Sequence, residues 1–286
     1  MMINKFHKYG IAFPWFLFLI FSLGDLHPQG SETMKTIKIA LCQIFSLDGD
    51  RSGNFVRIEQ AMREAKQSGA EMICFPESMI LGWVNRNAHT RAFPIPGEDS
   101  DRLCVLARKY DAYLCVGLDE KEGERLYDSV ILIDEKGTIL LKHRKINVLP
   151  ELMTPPYSVG SEVRAAQTRF GTIGLLICAD TFLPDALKRM AELKPDLVLV
   201  PYGWAAKEEA WPGHGKSLAD TVSKAAKVIG APVIGTNLVG EITQGPWTGQ
   251  VYGGQSIAAD PDGGILLTAK DRDRDVQVIS VSLGRP

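Results

Sequence analysis

Residues 36–75 read TIKIALCQIFSLDGDRSGNFVRIEQAMREAKQSGAEMICF, and this stretch decides the fold class. Residues 36–42 alternate in polarity and carry β-branched side chains, which predicts a strand. Residues 50–68 place apolar side chains at helical spacing before the stop at Gly69, which predicts a helix. Residues 71–75 form a short apolar run that ends at a proline, which predicts a second strand. A strand, a helix and a strand in this order indicate an α/β protein.

The rest of the chain continues this mixture of strands and helices. Hairpins are predicted at the turns 135–137 and 171–172, and a further turn at 260–264. Helices are predicted at residues 99–110, 183–193 and 216–229, and strands at 112–117, 127–134, 138–141, 163–170, 173–178, 197–201, 233–235, 252–259 and 265–268. We therefore expect mixed sheets with helices outside them, in a single domain over residues 34–286.

Composition excludes several classes of function. The 286 residues include 32 Lys+Arg and 34 Asp+Glu, giving a net charge of −2. Such a chain has no overall attraction for phosphate backbones, so we expect no nucleic-acid partner. The five cysteines form no C-x-x-C pair and the histidines form no H-E-x-x-H string, which argues against disulfide frameworks and common zinc sites. We therefore expect no metal site of these kinds.

The first 33 residues differ from the rest. Lys5 and two further basic residues precede an apolar run at 11–23, whose 13 residues are too few for the roughly 20 that span a bilayer. A basic start, a short apolar run and small residues fit a secretory signal cleaved after Gly24, which predicts a periplasmic or extracellular protein. Two alternatives are an uncleaved anchor and an extension before a true start at Met34, which would leave the protein cytoplasmic.

Glu77, Lys145 and Cys178 each follow a predicted strand, where open α/β sheets gather ligand chemistry. Each also has a structural explanation: a solvated glutamate, one lysine in a basic run, or a small buried thiol. The chain leaves the strand at Cys178 and approaches a helix, so backbone N–H groups should lower the pKa of the thiol and form an oxyanion hole. Glu77 and Lys145 are chemically suited to serve as its base and its charge stabiliser.

The chain from about residue 36 to residue 282 resembles the nitrilase, or carbon–nitrogen hydrolase, superfamily. Glu77 and Lys145 are separated by 68 residues, and Lys145 and Cys178 by 33. The resemblance is carried by Phe75-Pro76-Glu77, Arg144-Lys145, Gly171-x-Ile173-Gly174-x-x-Ile177-Cys178-x-Asp180, Gly254-x-Ser256-Ile257 and Pro261-x-Gly263. It implies a four-layer α-β-β-α sandwich that forms homodimers or higher homo-oligomers.

The resemblance also implies a catalytic triad. Cys178 would be the nucleophile, Glu77 its general base, and Lys145 the group that stabilises the tetrahedral oxyanion. The backbone N–H of Ala179 is expected to assist at the oxyanion. The reaction implied is cleavage of a carbon–nitrogen bond through a Cys thioester, without a cofactor.

Substrate-positioning residues are also expected from the resemblance. Family members often carry a second glutamate between the lysine and the cysteine; Glu151 is our candidate, 27 residues before the cysteine, and Glu162 is the alternative. Tyr202 and Trp204 follow the strand at 197–201 and would form an aromatic wall or serve as packing residues.

The residues after the cysteine favour an amide or carbamoyl substrate. The family often has an aromatic residue directly after the cysteine, and true nitrilases typically follow it with glutamate, whereas this chain has Ala179 and Asp180. A nitrile substrate remains the alternative. So does acyl transfer by the same triad, although the lipid-transferring relatives carry many membrane segments.

The sequence disfavours two unrelated functions. Residues 213–217 end like a phosphate-binding P-loop, but Ala210 stands where the first glycine is needed, and no strand ends immediately before it. We therefore expect a loop before a helix there. A serine hydrolase is disfavoured because the chain contains no G-x-S-x-G string.

Overall fold

The computed structural model describes residues 35–283. The predicted signal segment, residues 1–33, lies outside the described residues. No helix within residues 35–283 combines the length and the apolar composition needed to cross a bilayer.

The described range contains five α-helices and fifteen strands. The helices are α1 (Arg51–Gln67), α2 (Ala88–Arg91), α3 (Glu98–Tyr110), α4 (Pro184–Glu192) and α5 (Gly213–Ile229). The strands are β1 (Lys35–Gln43), β2 (Met72–Cys74), β3 (Tyr113–Glu122), β4 (Arg125–Ile133), β5 (Ile139–Arg144), β6 (Ala165–Thr168), β7 (Gly171–Leu175), β8 (Leu197–Tyr202), β9 (Ala205–Ala206), β10 (Val233–Asn237), β11 (Val239–Glu241), β12 (Val251–Gly253), β13 (Ile257–Ala259), β14 (Ile265–Thr268) and β15 (Asp275–Leu283).

Two six-stranded mixed sheets form the centre of the molecule. The first has the order β15, β1, β2, β3, β4, β5, and the second has the order β14, β13, β10, β8, β7, β6. The central pairings of each sheet are parallel: β1–β2–β3 in the first sheet and β10–β8–β7 in the second. The outer pairings are antiparallel: β15–β1 and β3–β4–β5 in the first sheet, and β14–β13–β10 and β7–β6 in the second. A small third sheet joins β11, β12 and β9.

Side-chain alternation along β1 shows how the layers form. Ile37, Ile39 and Leu41 join the cluster that fills the space between the sheets and continues under α4 and α5. Ala40 and Cys42 point the opposite way, into the cluster covered by α1 and α3. A strand buried on both faces needs apolar residues at successive positions, as this one has. The order helix, sheet, sheet, helix confirms the expected four-layer α-β-β-α sandwich.

Several boundaries differ from the sequence prediction. The strand expected at 252–259 is two strands, β12 and β13, because Gly254 and Gln255 adopt positive φ and break the ladder. The helix expected from residue 216 begins at Gly213, so the P-loop-like residues form its first turns. The strand β15 was not predicted; it pairs with β1 along its whole length, from Lys35 opposite Leu283 to Gln43 opposite Asp275.

Candidate active site

Glu77 is held by a loop that leaves the first sheet and reaches the second. The N–H of Gly117 donates to the carbonyl of Pro76 at 3.1 Å, and the N–H of Met79 donates to the carbonyl of Gly117 at 2.8 Å. A Cβ on Gly117 would lie 2.6 Å from the Cα of Glu77, so only glycine lets the loop lie this close to β3. The N–H of Glu77 faces the carbonyl of Tyr202 in β8 at 3.4 Å. The Glu77 side chain is fully buried.

Lys145 follows β5 and is fixed by backbone hydrogen bonds on both sides. Its N–H donates to the carbonyl of Asp128 at 2.8 Å, and its carbonyl accepts from the N–H of Gly160 at 2.8 Å. Its buried ammonium forms an ion pair with Glu77 and lies 3.3 Å from Oδ2 of Asp128. The same nitrogen is 5.7 Å from the centroid of the Trp83 ring, a cation–π distance.

Cys178 begins a 3₁₀ turn, Cys178–Phe182, three residues after β7 ends. Its φ is 39°, a left-handed conformation that is unfavourable for a residue with a Cβ. The Thr181 hydroxyl donates to the Cys178 carbonyl at 2.7 Å and so helps hold the turn. Strain of this kind is kept only where surrounding contacts enforce it, and it is common at functional sites.

Asp180 connects this turn to the Lys145 loop. Its Oδ1 accepts from the backbone N–H groups of Ile146 and Asn147 at 2.8 and 2.9 Å. Its Oδ2 accepts from the N–H of Ile177 at 3.0 Å and lies 2.7 Å from Nε2 of His143. Both the Asp180 and His143 side chains are completely buried. A buried carboxylate with this many partners fixes the Cys178 turn against the Lys145 loop, a position that sequence reasoning did not assign to Asp180.

The electrostatics of Cys178 differ from the expectation. Burial and the negative charge of Glu77 raise the pKa of the thiol well above its ordinary value. The Lys145 charge and a hydrogen bond from the Gly203 backbone N–H act in the opposite direction but do not outweigh them. The predicted lowering of the thiol pKa is therefore wrong, because desolvation exceeds the effect of the nearby N–H groups. The resting sulfur therefore carries a proton.

Lys145 remains charged in this setting. Burial by itself would lower the pKa of the ammonium, but the Glu77 carboxylate, together with the neighbouring acidic groups of Asp128 and Cys178, raises it well above its ordinary value. The structure thus brings Glu77, Lys145 and Cys178 together. Glu77 and Lys145 form a carboxylate–ammonium ion pair, and the Cys178 thiol beside them is protonated.

Tyr202 and Trp204 occupy different positions near this cluster. Tyr202 is completely buried, and its hydroxyl is 3.3 Å from that of Thr181. The Trp204 backbone is fixed by Asn237, whose Oδ1 accepts from the Trp204 N–H at 2.7 Å. The Trp204 ring stacks on His214 with centroids 5.6 Å apart, and makes an edge contact with Phe182 at 5.5 Å.

The remaining candidates from the sequence differ in exposure: the two glutamates are exposed and Ala179 is buried. Glu151 is exposed on the 3₁₀ turn Pro150–Leu152. Glu162 is exposed and forms an ion pair with Arg164. Ala179 is buried, and its carbonyl accepts from Nδ2 of Asn147 at 3.0 Å. Within residues 35–283 no three His, Cys, Asp or Glu side chains are grouped so as to hold a metal ion, and all five cysteines are free and buried.

Sequence reasoning missed three groups at this site. Asp128 contacts Lys145, the Gly203 N–H faces the Cys178 sulfur, and Tyr252 lies beside both Gly203 and Trp83. Asp128 lies on a buried strand, and a charged residue among apolar ones was the only sequence signal that it has a special position. The positions of Gly203 and Tyr252 depend on the packing of the second sheet, which no local sequence pattern predicts.

Comparison with known proteins agrees with this geometry. A family model described as carbon–nitrogen hydrolase matches residues 38–285. An (R)-stereoselective amidase from Pseudomonas sp. is 28% identical over 254 residues, which cover 86% of this chain and 85% of that protein. A bifunctional nitrilase/nitrile hydratase from Nicotiana tabacum is 30% identical over 188 residues, covering 59% of this chain and 52% of the relative. The chain thus spans about half the length of that plant relative.

Solved structures show the same fold. The crystal structure of an amidase from Nesterenkonia sp. has a TM-score of 0.74 and 24% identity, covering 86% of this chain and 90% of that chain. A mutant of the amidase from Nesterenkonia sp. AN1 in complex with butyramide gives a TM-score of 0.74 at 23% identity, over 86% of this chain and 91% of that one.

The four-layer fold and the buried Glu–Lys–Cys cluster define the class of protein. With the family model matching nearly all of the described residues, this chain belongs to the carbon–nitrogen hydrolase family, within the nitrilase superfamily. The resemblance stated from the sequence is confirmed.

Proposed function

We propose that this protein hydrolyses the carbon–nitrogen bond of a small amide or carbamoyl compound, giving a carboxylic acid and ammonia or an amine. The observation that carries the proposal is the buried ion pair of Glu77 and Lys145 beside the protonated thiol of Cys178. A carboxylate base, a cation and a thiol are the groups that nucleophilic acyl transfer requires. The amidase relative that aligns over most of both chains supports an amide substrate.

In the first half-reaction, the Cys178 sulfur attacks the amide carbonyl while Glu77 removes the thiol proton. The carbonyl oxygen becomes an oxyanion that the Lys145 ammonium and backbone N–H groups, with Ala179 as our candidate, stabilise. Glu77 then delivers the proton to the nitrogen as the carbon–nitrogen bond breaks. A thioester remains on Cys178, and ammonia or an amine departs.

In the second half-reaction, water attacks the thioester and passes a proton to Glu77. The carbon–sulfur bond breaks, Glu77 returns the proton to the sulfur, and the carboxylic acid leaves. Glu77 has the same protonation state before and after each cycle, so a single carboxylate can serve both halves.

The test combines substrate range with trapping of the intermediate. Ammonia release is measured for the purified enzyme with aliphatic amides, ω-amides, carbamoyl amines and nitriles. We expect turnover of an amide or carbamoyl compound, loss of turnover in Cys178→Ala with the fold retained, and an acyl adduct on Cys178 in the mass spectrum. Wild-type rates in Cys178→Ala would remove the assignment of the nucleophile.

Glu77→Gln tests the base separately. Without a proton acceptor next to the thiol, both acylation and hydrolysis should slow, so neither a burst of amine nor steady turnover is expected. A burst of normal size would show that another group accepts the thiol proton.

Nitrile hydrolysis is the second candidate, because the plant relatives named as nitrilases align with 30% identity over about half of this chain. The same panel separates the two functions: a nitrilase releases ammonia from nitriles at rates that exceed those for the corresponding amides. Acyl transfer would instead give an amide or ester product when an amine or alcohol is added.

Substrate orientation is assigned to three further residues. We propose that Trp204 forms an aromatic wall of the acyl site, supported by its contacts with Phe182 and His214. We assign to Tyr202 a supporting position through its contact with Thr181. Glu151 remains our candidate for contacting the substrate amine. Trp204→Ala and Glu151→Gln should raise KM for the preferred amide. The yield of folded protein should change little in either variant.

Assembly and location are separate proposals. We propose a homodimer or higher homo-oligomer, to be measured by light scattering of the eluted protein. We also propose that residues 1–24 direct export. The mass of the mature N-terminus tests this, since a start at Asp25 supports cleavage and a start at Met34 supports a cytoplasmic protein.

A further inference from the structure

A second buried acid lies against the catalytic ion pair. Asp128 is in β4, its side chain is inaccessible to solvent, and its Oδ2 lies 3.3 Å from Nζ of Lys145. The residue directly opposite it in β3 is Asp119. Directly opposed residues of antiparallel strands project from the same face, so these two acids are close neighbours. Asp119 is also buried and accepts a hydrogen bond from the Tyr157 hydroxyl at 2.8 Å.

The charges of this cluster do not balance if every acid is ionised. Glu77, Asp128 and Asp119 would place three negative charges around the single ammonium of Lys145, without water to screen them. Like charges at such distances do not all ionise in a buried site. Glu77 has the closest contact with Lys145 and must be ionised to accept the thiol proton. The extra protons therefore belong on the aspartates.

Two unsatisfied oxygens indicate where one proton lies. Within residues 35–283, Oε2 of Glu77 and Oδ1 of Asp128 are buried and receive no hydrogen bond. Both carboxylates also contact the same nitrogen, Nζ of Lys145, so the two side chains are close neighbours. A proton on Asp128 would give both acids a partner, since a protonated carboxyl group is a donor as well as an acceptor.

We propose that Asp128 is a positioning residue that remains a neutral carboxylic acid in the working enzyme, donating a hydrogen bond to Glu77 while accepting one from Lys145. This inference rests on the proposed hydrolase function. A neutral Asp128 does not compete with the oxyanion for the positive charge of Lys145, and its hydrogen bond holds the Glu77 carboxylate in place. In agreement, burial and the negative charge of Glu77 raise the pKa of Asp128 well above its ordinary value.

Ionisation of Asp128 at high pH should inhibit the enzyme. The charged or titratable groups that face it are Glu77, Lys145, Asp119, Tyr157 and, further away, Tyr252. Of these only Lys145 is positive, and Glu77 already pairs with it. A charged Asp128 would compete for the ammonium and oppose formation of the thiolate.

The test is the pH profile of kcat/KM for wild type, Asp128→Asn, Asp128→Ala and Asp119→Asn. Asn keeps both a donor for Glu77 and an acceptor for Lys145 but cannot ionise. We expect Asp128→Asn to stay within a few-fold of wild type at neutral pH and to shift the alkaline limb upward. Asp128→Ala should lose more than about tenfold, because Lys145 and Glu77 each lose a partner. Asp119→Asn, matched in residue type and burial, should keep an alkaline limb.

Three outcomes would overturn the inference. Asp128→Asn as inactive as Asp128→Ala would show that an ionised carboxylate is needed, and an unchanged profile would show that Asp128 does not titrate in the working range. An alkaline limb abolished by Asp119→Asn alone would assign the effect to Asp119.

Infrared spectroscopy provides a measurement that needs no substrate. At neutral pH the C=O stretch of a protonated carboxyl group should be present in wild type and in Asp119→Asn, and reduced in Asp128→Asn. Its absence from Asp119→Asn, which retains Asp128, would overturn the inference even if Asp128→Asn failed to fold. If no amide is hydrolysed but the band is present, the proposed function fails and the protonation of Asp128 stands.

Discussion

Gly203 shows that the candidate active site has no room for a side chain at one backbone position. A Cβ at this position would lie 3.0 Å from Oε2 of Glu77 and 3.5 Å from the ring of Tyr252. The Gly203 N–H also acts to lower the pKa of the Cys178 thiol. The backbone at residue 203 therefore lies close to both Glu77 and Cys178.

Gly203→Ala should reduce kcat/KM by roughly 100-fold, because displacing the Glu77 carboxylate by a fraction of an ångström misaligns proton transfer. The melting temperature should change little by comparison, since the change is a single methyl group. Gly213→Ala is the matched control, because an added Cβ there meets nothing within 4 Å. Equal activity of the two variants would contradict the proposed contact with Glu77.

Asp180→Asn should affect both folding and activity. The amide can replace only some of the carboxylate's acceptor positions, and its NH₂ group would face a backbone N–H or His143. We expect the free energy of unfolding to fall by about 2–4 kcal/mol and kcat/KM to fall as well. Denaturant unfolding and steady-state kinetics measure these effects. Asp185→Asn, at a side chain that is 81% exposed, should leave both near wild type.

At the residue scale, much of the candidate site could be predicted. Glu77, Lys145 and Cys178 follow strands as expected, and the structure places them together. The protonated state of the thiol could not be predicted, because it depends on how completely the second sheet and its loops exclude water from the sulfur. The involvement of Asp128 depends on strand register in the same way.

At the scale of elements, the strand β15 was the main omission. Its side chains alternate in burial: Val281 is 1% exposed and joins the cluster between the sheets, whereas Ser280 and Ser282 are exposed. It pairs with β1, at the opposite end of the described chain. Local patterns mark turns and adjacent hairpins, but they do not reveal a partner more than 200 residues away.

Val281→Asp tests the contribution of this strand to stability. An unpaired charge between two sheets has no solvent and no partner, so we expect the free energy of unfolding to fall by about 3 kcal/mol or more. The midpoint of urea denaturation measures the change. Ser280→Asp is the control on the same strand, and its exposed side chain should leave the midpoint nearly unchanged. A similar loss in both variants would mean that the strand, rather than its buried face, is sensitive to charge.

At the scale of the whole molecule, a buried acid should make stability depend on pH. Burial raises the pKa of Asp119 to about 7, against an ordinary value of about 3.9 in the unfolded chain. Between these values the folded protein holds a proton that the unfolded chain has released. The stability from neutral Asp119 is therefore complete below about pH 4 and is lost as pH rises to about 7.

Asp119→Asn should remove this dependence while keeping an acceptor for the Tyr157 hydroxyl. Between about pH 4 and about pH 7, wild type should lose up to about 1.4 kcal/mol per pH unit more than the variant does. Urea unfolding across this range measures the difference. Glu209→Gln, at an exposed position, should follow the wild-type curve. Parallel curves for wild type and Asp119→Asn would show that Asp119 is ionised in the folded protein.

The sequence by itself determined the α/β class, most helices and strands, the family, and three candidate residues at the ends of strands. These depend on local periodicity, turn residues and short motifs, which are present in consecutive residues. Tertiary structure alone decided the pairing of β15 with β1, the effect of the Gly203 N–H on the Cys178 thiol, and the burial of Asp128 beside Lys145 with Asp119 opposite it in β3. Those features arise from distant segments meeting in a space without water, where exclusion of solvent, rather than residue type, sets which groups carry charge.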